Sequence, residues 1–132
     1  MIVHLGHSIR FSTCRSAEET RRQLRAALPE EGLEVVDEFE PFWEINNSLG
    51  LSQGQYTILS VWNSIAAYQA LLAIPEAGVF IPIHIVVTIH EGQTLVSVMD
   101  PEWLTEAVDR LGFHVLAKDL AARLRRVLAT LN

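Results

Sequence analysis

The chain has 132 residues, of which 49% are hydrophobic, and a formal net charge of -6. That length gives room for one domain, residues 1–132, able to bury roughly two-thirds of the surface its unfolded chain exposes. Acidic residues outnumber basic ones in both halves, which speaks against the positive field that nucleic-acid phosphates select, and no apolar run approaches the roughly 18 residues a membrane span needs.

From the N-terminus, MIVHLGHSIRF alternates like a strand where a signal peptide would show a basic segment followed by a continuous apolar one. With Cys14 as the single cysteine and therefore no internal disulfide, a reducing, cytoplasmic setting is expected. Val3, Leu5, His7, Ile9 and Phe11 fall on one side of this strand, so His7 is expected to be a buried, hydrogen-bonded core residue. His4 points the opposite way and does not pair with it. In SAEE, Ser16 is placed to cap a helix with Glu19 three residues on; Ala17, Thr20, Leu24, Ala27 and Leu28 form its apolar stripe, and Pro29 and Gly32 close it. LEVVDEF alternates again and puts Asp37 on the side of Leu33, Val35 and Phe39. Pro41 suits the first turn of a short helix, PFWEINNSL, with Glu40 and Glu44 near its start, where the dipole favours negative charge. YTILSVW predicts a third strand, and Asn63 an N-cap for SIAAYQALLAI, whose Ile65, Tyr68, Leu71 and Leu72 share a face.

Pro75, Gly78 and Pro82 mark a loop before the stretch IPIHIVVTIHEGQTLVSVMDP. With Glu91 and Gly92 as a two-residue turn, His90 stands opposite Gln93, Val87 opposite Val96 and Ile85 opposite Val98. Ile85, Val87, Ile89, Val96 and Val98 then face the core, while His84 and His90 project from the other face with Val86, Leu95 and Met99. Six residues of strand span about 20 Å, too far for one zinc ion to hold both histidines. His90 reads as a solvated residue beside the turn, whereas His84 begins the strand and can face a pocket or a subunit boundary. Asp100, Pro101 and Glu102 suit the start of a helix. After a break around Gly112, Leu116, Leu120, Leu124, Leu128 and Leu131 mark the inner face of a last helix, with Lys118, Arg123, Arg125 and Arg126 outside. The sum is strand, helix, four strands, helix: a two-layer α+β sandwich with an antiparallel sheet.

No glycine-rich phosphate loop, paired-cysteine motif, HExxH or GxSxG occurs, so neither a metal nor a cofactor is expected. Cys14 lies near a helix start but reads as a spectator thiol, and the arginines of RRQLR and RLRR as solvated helix faces. Four residues remain as ligand-binding candidates. His84 and Asp37 can titrate or hydrogen-bond at a cleft, and Asn63 and Asp100 can do so where their capping roles leave them free. Two functions follow: a non-catalytic homodimer that binds a small ligand or a protein partner, or a small enzyme using Asp37, His84 or Asp100 as acid or base in a pocket between sheet and helices, with Asn63 orienting the substrate.

The stretches SAEETRRQLRAALPEEGLEV, LGLSQGQYTILSVWNSIAAYQALLAIPEAGVFIPIHIVV and VSVMDPEWL together resemble, over nearly the whole chain, the Domain of Unknown Function 302 family. The shared pieces are the Asn that opens the middle helix (Asn63), the Pro before the fourth strand (Pro82) and the Met-Asp-Pro after the fifth (Met99, Asp100, Pro101). The resemblance implies a curved antiparallel sheet with helices on one face, within the TATA-box-binding-protein-like folds, and a tendency to dimerise, but no particular activity. Many members have a cysteine just before that Asn and another just after that Pro; here those places hold Trp62 and Ile83, which removes the basis for carrying thiol or metal chemistry over. Independently of the resemblance, the apolar surplus points to a homodimer, with Val86, Leu95 and Met99 on the hairpin and the aromatics Phe42, Trp43 and Trp103 as the expected contact surface.

Overall fold

The computed structural model of the protein describes residues 2–41, 48, 50–51, 54–107 and 111–131, the side chains of residues 3–5, 107 and 111 excepted. The expected short helix PFWEINNSL, with Phe42 and Trp43, lies outside them apart from Ser48. Six strands, β1 (Ile2–Leu5), β2 (Ser8–Thr13), β3 (Glu34–Phe39), β4 (Tyr56–Trp62), β5 (Ile83–His90) and β6 (Gln93–Met99), form one antiparallel sheet in the order β1-β2-β6-β5-β4-β3. Helices α1 (Ala17–Glu30), α2 (Ser64–Ala73), α3 (Leu104–Ala107) and α4 (Leu111–Ala129) complete an α+β architecture.

The sixth strand comes from a turn that alternation concealed. Gly6 adopts φ +61° at the first position of a two-residue turn, and Leu5 pairs back with Ser8. The continuous first strand expected from Val3 to Phe11 is therefore a hairpin, and His7 belongs to its turn. His7 is exposed, not buried, and its ring lies 5.0 Å from that of Trp103. The second hairpin follows the sequence reading residue for residue: Glu91 and Gly92 both take positive φ, as this type of two-residue turn requires, and the register runs from His90 with Gln93 to Ile85 with Val98.

On one face of the sheet, Ile9, Phe11, Leu59, Val61, Ile83, Ile85, Val87, Val96 and Val98 pack into a single core with Leu24 and Leu28 of α1 and Leu124, Val127 and Leu128 of α4. Each such side chain contributes on the order of 1.5–3 kcal/mol by leaving water. The caps form as the residue types dictate. Ser16 Oγ accepts from Glu19 N at 3.1 Å and Asn63 Oδ1 from Ala66 N at 2.9 Å. Glu19 itself lies 4.0 Å from Arg15, so what is seen of the expected capping box is its Ser16 half. Gly112 sits inside the first turn of α4 instead of ahead of it, and the buried stripe of that helix is Phe113, Ala117, Ala121, Leu124 and Leu128, with Leu116 and Leu120 on its flank.

Helix α2 reverses the orientation its apolar residues suggest. Ala67 and Ala70 face inward, whereas Ile65, Tyr68 and Leu72 are 70%, 66% and 68% exposed. Ala67 and Ala70 stand over Phe113, Leu116 and Leu120 of α4 with a small apolar gap left between the two helices, so the inward side of α2 carries only small side chains.

Candidate functional site

The polar residues singled out in the sequence separate into two that share one surface and two that do not. Strand parity places His84 on the sheet face turned away from the core, together with Ser60, its partner in the β4–β5 register. Ser60 Oγ lies 2.8 Å from His84 Nδ1. The contact fixes the imidazole and leaves its Nε2 for whatever the surface meets. Ser60 is only 3% exposed, so it orients the histidine better than it could serve as a nucleophile.

Asp37 joins this row through a fold detail that alternation cannot show. A register shift between Val35 and Asp37 pairs Val35 with Val61 but Asp37 with Ser60. The extra residue of the bulge moves Asp37 and Phe39 to the face opposite Val35, away from the side expected for them. Asp37, Ser60 and His84 thus occupy consecutive strands, with about 10 Å between the outer two Cα atoms from two strand spacings. Beyond His84 the face dips into a shallow depression lined by His7, Ser8, Val86, Ser97 and Met99. The alternation of β5 hinted at His84; Ser60 was missed, and only the pairing of YTILSVW against IHIVVTIH would have revealed it.

Asn63 and Asp100 are held elsewhere by structural work. Besides capping α2, Asn63 donates from Nδ2 to the Gly32 carbonyl at 2.8 Å, tying the α1–β3 turn to the start of α2. Gly32 is at φ +70°, a backbone conformation that favours glycine, and a Cβ there would also push aside the end of the Arg123 side chain, whose Nη1 would stand 2.7 Å away. Asp100 caps the short 3-10 turn Pro101–Trp103, accepting from Glu102 N at 3.0 Å, and its other oxygen is 2.7 Å from Arg125 Nη2. Arg125 also reaches Glu102 at 2.8 Å. The hydrogen bond to Glu102, opposed by partial desolvation and reinforced by the charge of Asp100, holds the Arg125 guanidinium above its ordinary pKa.

Between α2 and α4 lies a largely apolar cavity of about 30 Å³ lined by Trp62, Asn63, Ala67, Ala70, Phe113 and Leu116. That volume falls far short of the ~300 Å³ a small-molecule pocket takes, and beside it a more open groove of about 460 Å³ is lined by Gln69, Ala73, Ile74, Phe113, Val115 and Leu116. Among the described residues no three His, Cys, Asp or Glu side chains converge to hold a metal ion. Cys14 is exposed, with Gln93 Nε2 3.6 Å from its Sγ. No helix among the described residues is long and apolar enough to cross a membrane.

An antiparallel sheet with helices packed on one face and a histidine held on the other defines a small α+β domain with one open sheet surface. The chain belongs to the family described as Domain of unknown function DUF302, whose model matches residues 9–131. It is also similar to a solved structure, the uncharacterized conserved protein DUF302 from Bacillus stearothermophilus, at 25% sequence identity and a TM-score of 0.80, covering 95% of this chain and 98% of that one. No curated protein matches it.

Proposed function

We propose that the protein is a non-catalytic homodimer that binds a small ligand or a protein partner, with the outward face of α2 as the contact between copies. The observation that carries the dimer is the exposure of that face. Ser64–Ala73 contains no charged residue, and Leu71 and Val79 extend the patch of Ile65, Tyr68 and Leu72. At roughly 100 Å² per large apolar side chain the patch is on the order of 500 Å², near the upper end of what a monomer leaves in water and a large part of the ~800 Å² a standard interface buries per partner. A second copy fits it better than another occupant. A two-fold contact sets identical surfaces against each other, and in a chain of net charge -6 a neutral apolar patch does so without opposing carboxylates.

This moves the contact surface away from the hairpin. Leu95 is only 8% exposed, because β6 is an inner strand and Thr88 and Ser12 flank Leu95 on both sides. Val86 and Met99 are half-buried beside His84, which leaves the outer sheet face for a ligand. An exposed, unpaired cysteine supports a reducing, cytoplasmic setting. Arg22, Arg25, Arg123, Arg125 and Arg126 each pair with a carboxylate, which supports the absence of a nucleic-acid partner.

One observation favours the alternative of a small enzyme: the Ser60–His84 hydrogen bond, which would steady a general base. Native mass spectrometry of the purified protein tests both readings. The binding reading expects a dimer and any bound small molecule recovered unchanged. A monomer at micromolar concentration would overturn the dimer, and a ligand returned chemically altered would favour the enzyme.

A further inference from the structure

Arg15, Arg21, Arg22, Arg25, Arg123, Arg125 and Arg126 each meet a carboxylate or a backbone carbonyl. Among the described residues Arg10 has no such partner, although it is half-buried. It lies on β2 opposite Ser97, whose side chain lines the depression beside His84, so the guanidinium projects from the same outer face. Arg10 and His84 stand about 12 Å apart at their Cα atoms, two strand spacings across and two residues along, a gap that an arginine side chain is long enough to span in part. Among the described residues no carboxylate lines the depression, and Asp37, the nearest on this face by register, lies beyond Ser60. On an acidic protein, Arg10 thus flanks, through its register with Ser97, a depression in which His84 and Ser97 border an apolar floor of Val86 and Met99.

We propose that this depression binds a small monocarboxylate with an apolar body, its carboxylate held by Arg10, Ser97 and His84 and its body lying on Val86 and Met99. One guanidinium offers a planar fork that matches a carboxylate, and a single permanent positive charge balances a monoanion better than a phosphate dianion. The assignment rests on the ligand-binding reading above and adds the class of ligand and its site.

The test is an amide-resolved NMR titration with sodium benzoate, with benzamide as the neutral counterpart, on wild type and on the Arg10→Gln and His84→Gln variants. The expected result is saturable shifts at Arg10, Val86, Ser97 and Met99 with benzoate, none with benzamide, and about tenfold or greater weakening in Arg10→Gln, the usual worth of a hydrogen bond to a charged group. Unshifted resonances from α1 and α4 report that each variant is folded. Equal response to both probes, unchanged affinity in Arg10→Gln, shifts confined to Phe113 and Leu116, or no saturable shift would overturn the proposal. A wild-type dimer that carries a ligand by native mass spectrometry but ignores benzoate at this face would sink this assignment and leave the binding reading standing.

Discussion

Helices α1 and α2 have opposite relations to the core. In α1, Thr20, Leu24 and Leu28 are buried while Glu18, Arg22 and Arg25 meet solvent, so the large apolar residues point to the sheet. In α2 the alanines point in and the large apolar residues point out. The difference teaches that periodicity shows which residues share a helix face, whereas the space left by neighbouring elements decides which face turns inward. The exposure of Ile65, Tyr68 and Leu72 is what the proposed contact between copies rests on.

The contrast breaks most visibly where α1 meets the core. Leu24→Ala should lower the unfolding free energy by about 3 kcal/mol, the usual cost of a buried leucine cavity, as read from denaturant unfolding. On the inward side of α2 the error would be one of excess. Ala70→Leu should cost no more than roughly 1–3 kcal/mol, because the larger side chain enters the cavity of about 30 Å³ before it meets Phe113 and Leu116, and a greater loss in denaturant unfolding would show that the inner face of α2 is close-packed. Asn63→Ala removes both the cap of α2 and the tie to Gly32 and should cost about 1–2 kcal/mol; Asn63→Asp, which keeps a capping oxygen, should lose less than the alanine variant in the same unfolding experiment.

The smallest effect belongs to Arg125, whose side chain is 35% exposed, so solvent screening should hold the loss in Arg125→Ala below about 1 kcal/mol. The direction of its shift sets the pH dependence. A guanidinium raised above its ordinary value contributes fully below its unfolded pKa and loses that contribution only as pH rises through the folded one, in strong alkali. Thermal unfolding of wild type and variant should therefore differ by a constant amount between neutral and mildly alkaline pH.

Local chemistry made much of the architecture legible. Glu91–Gly92 set the register of the second hairpin, and Ser16, Asn63 and Asp100 announced their caps through side chains that can accept from the nearby backbone. What stayed hidden depended on distant partners or on single-residue irregularities. Gly6 interrupts an alternation that looks continuous, and the bulge between Val35 and Asp37 moves a carboxylate from one face to the other. The same limit applies to the site. The even spacing of His84 and His90 gave their common face, yet Ser60 comes from another strand and Arg10 from a third, and only the order of the sheet sets them on one surface.

Sedimentation equilibrium of the wild type beside Tyr68→Glu tests the role of α2 most directly. Tyr68 lies in water on the single chain, so the substitution should change its folding stability by no more than about 0.5 kcal/mol. The expected result is twice the chain mass for the wild type at micromolar concentration and a shift toward the single-chain mass for a folded Tyr68→Glu. A wild type that sediments as a monomer, or a variant that dimerises as tightly as the wild type, would contradict the assignment of this face to a second copy.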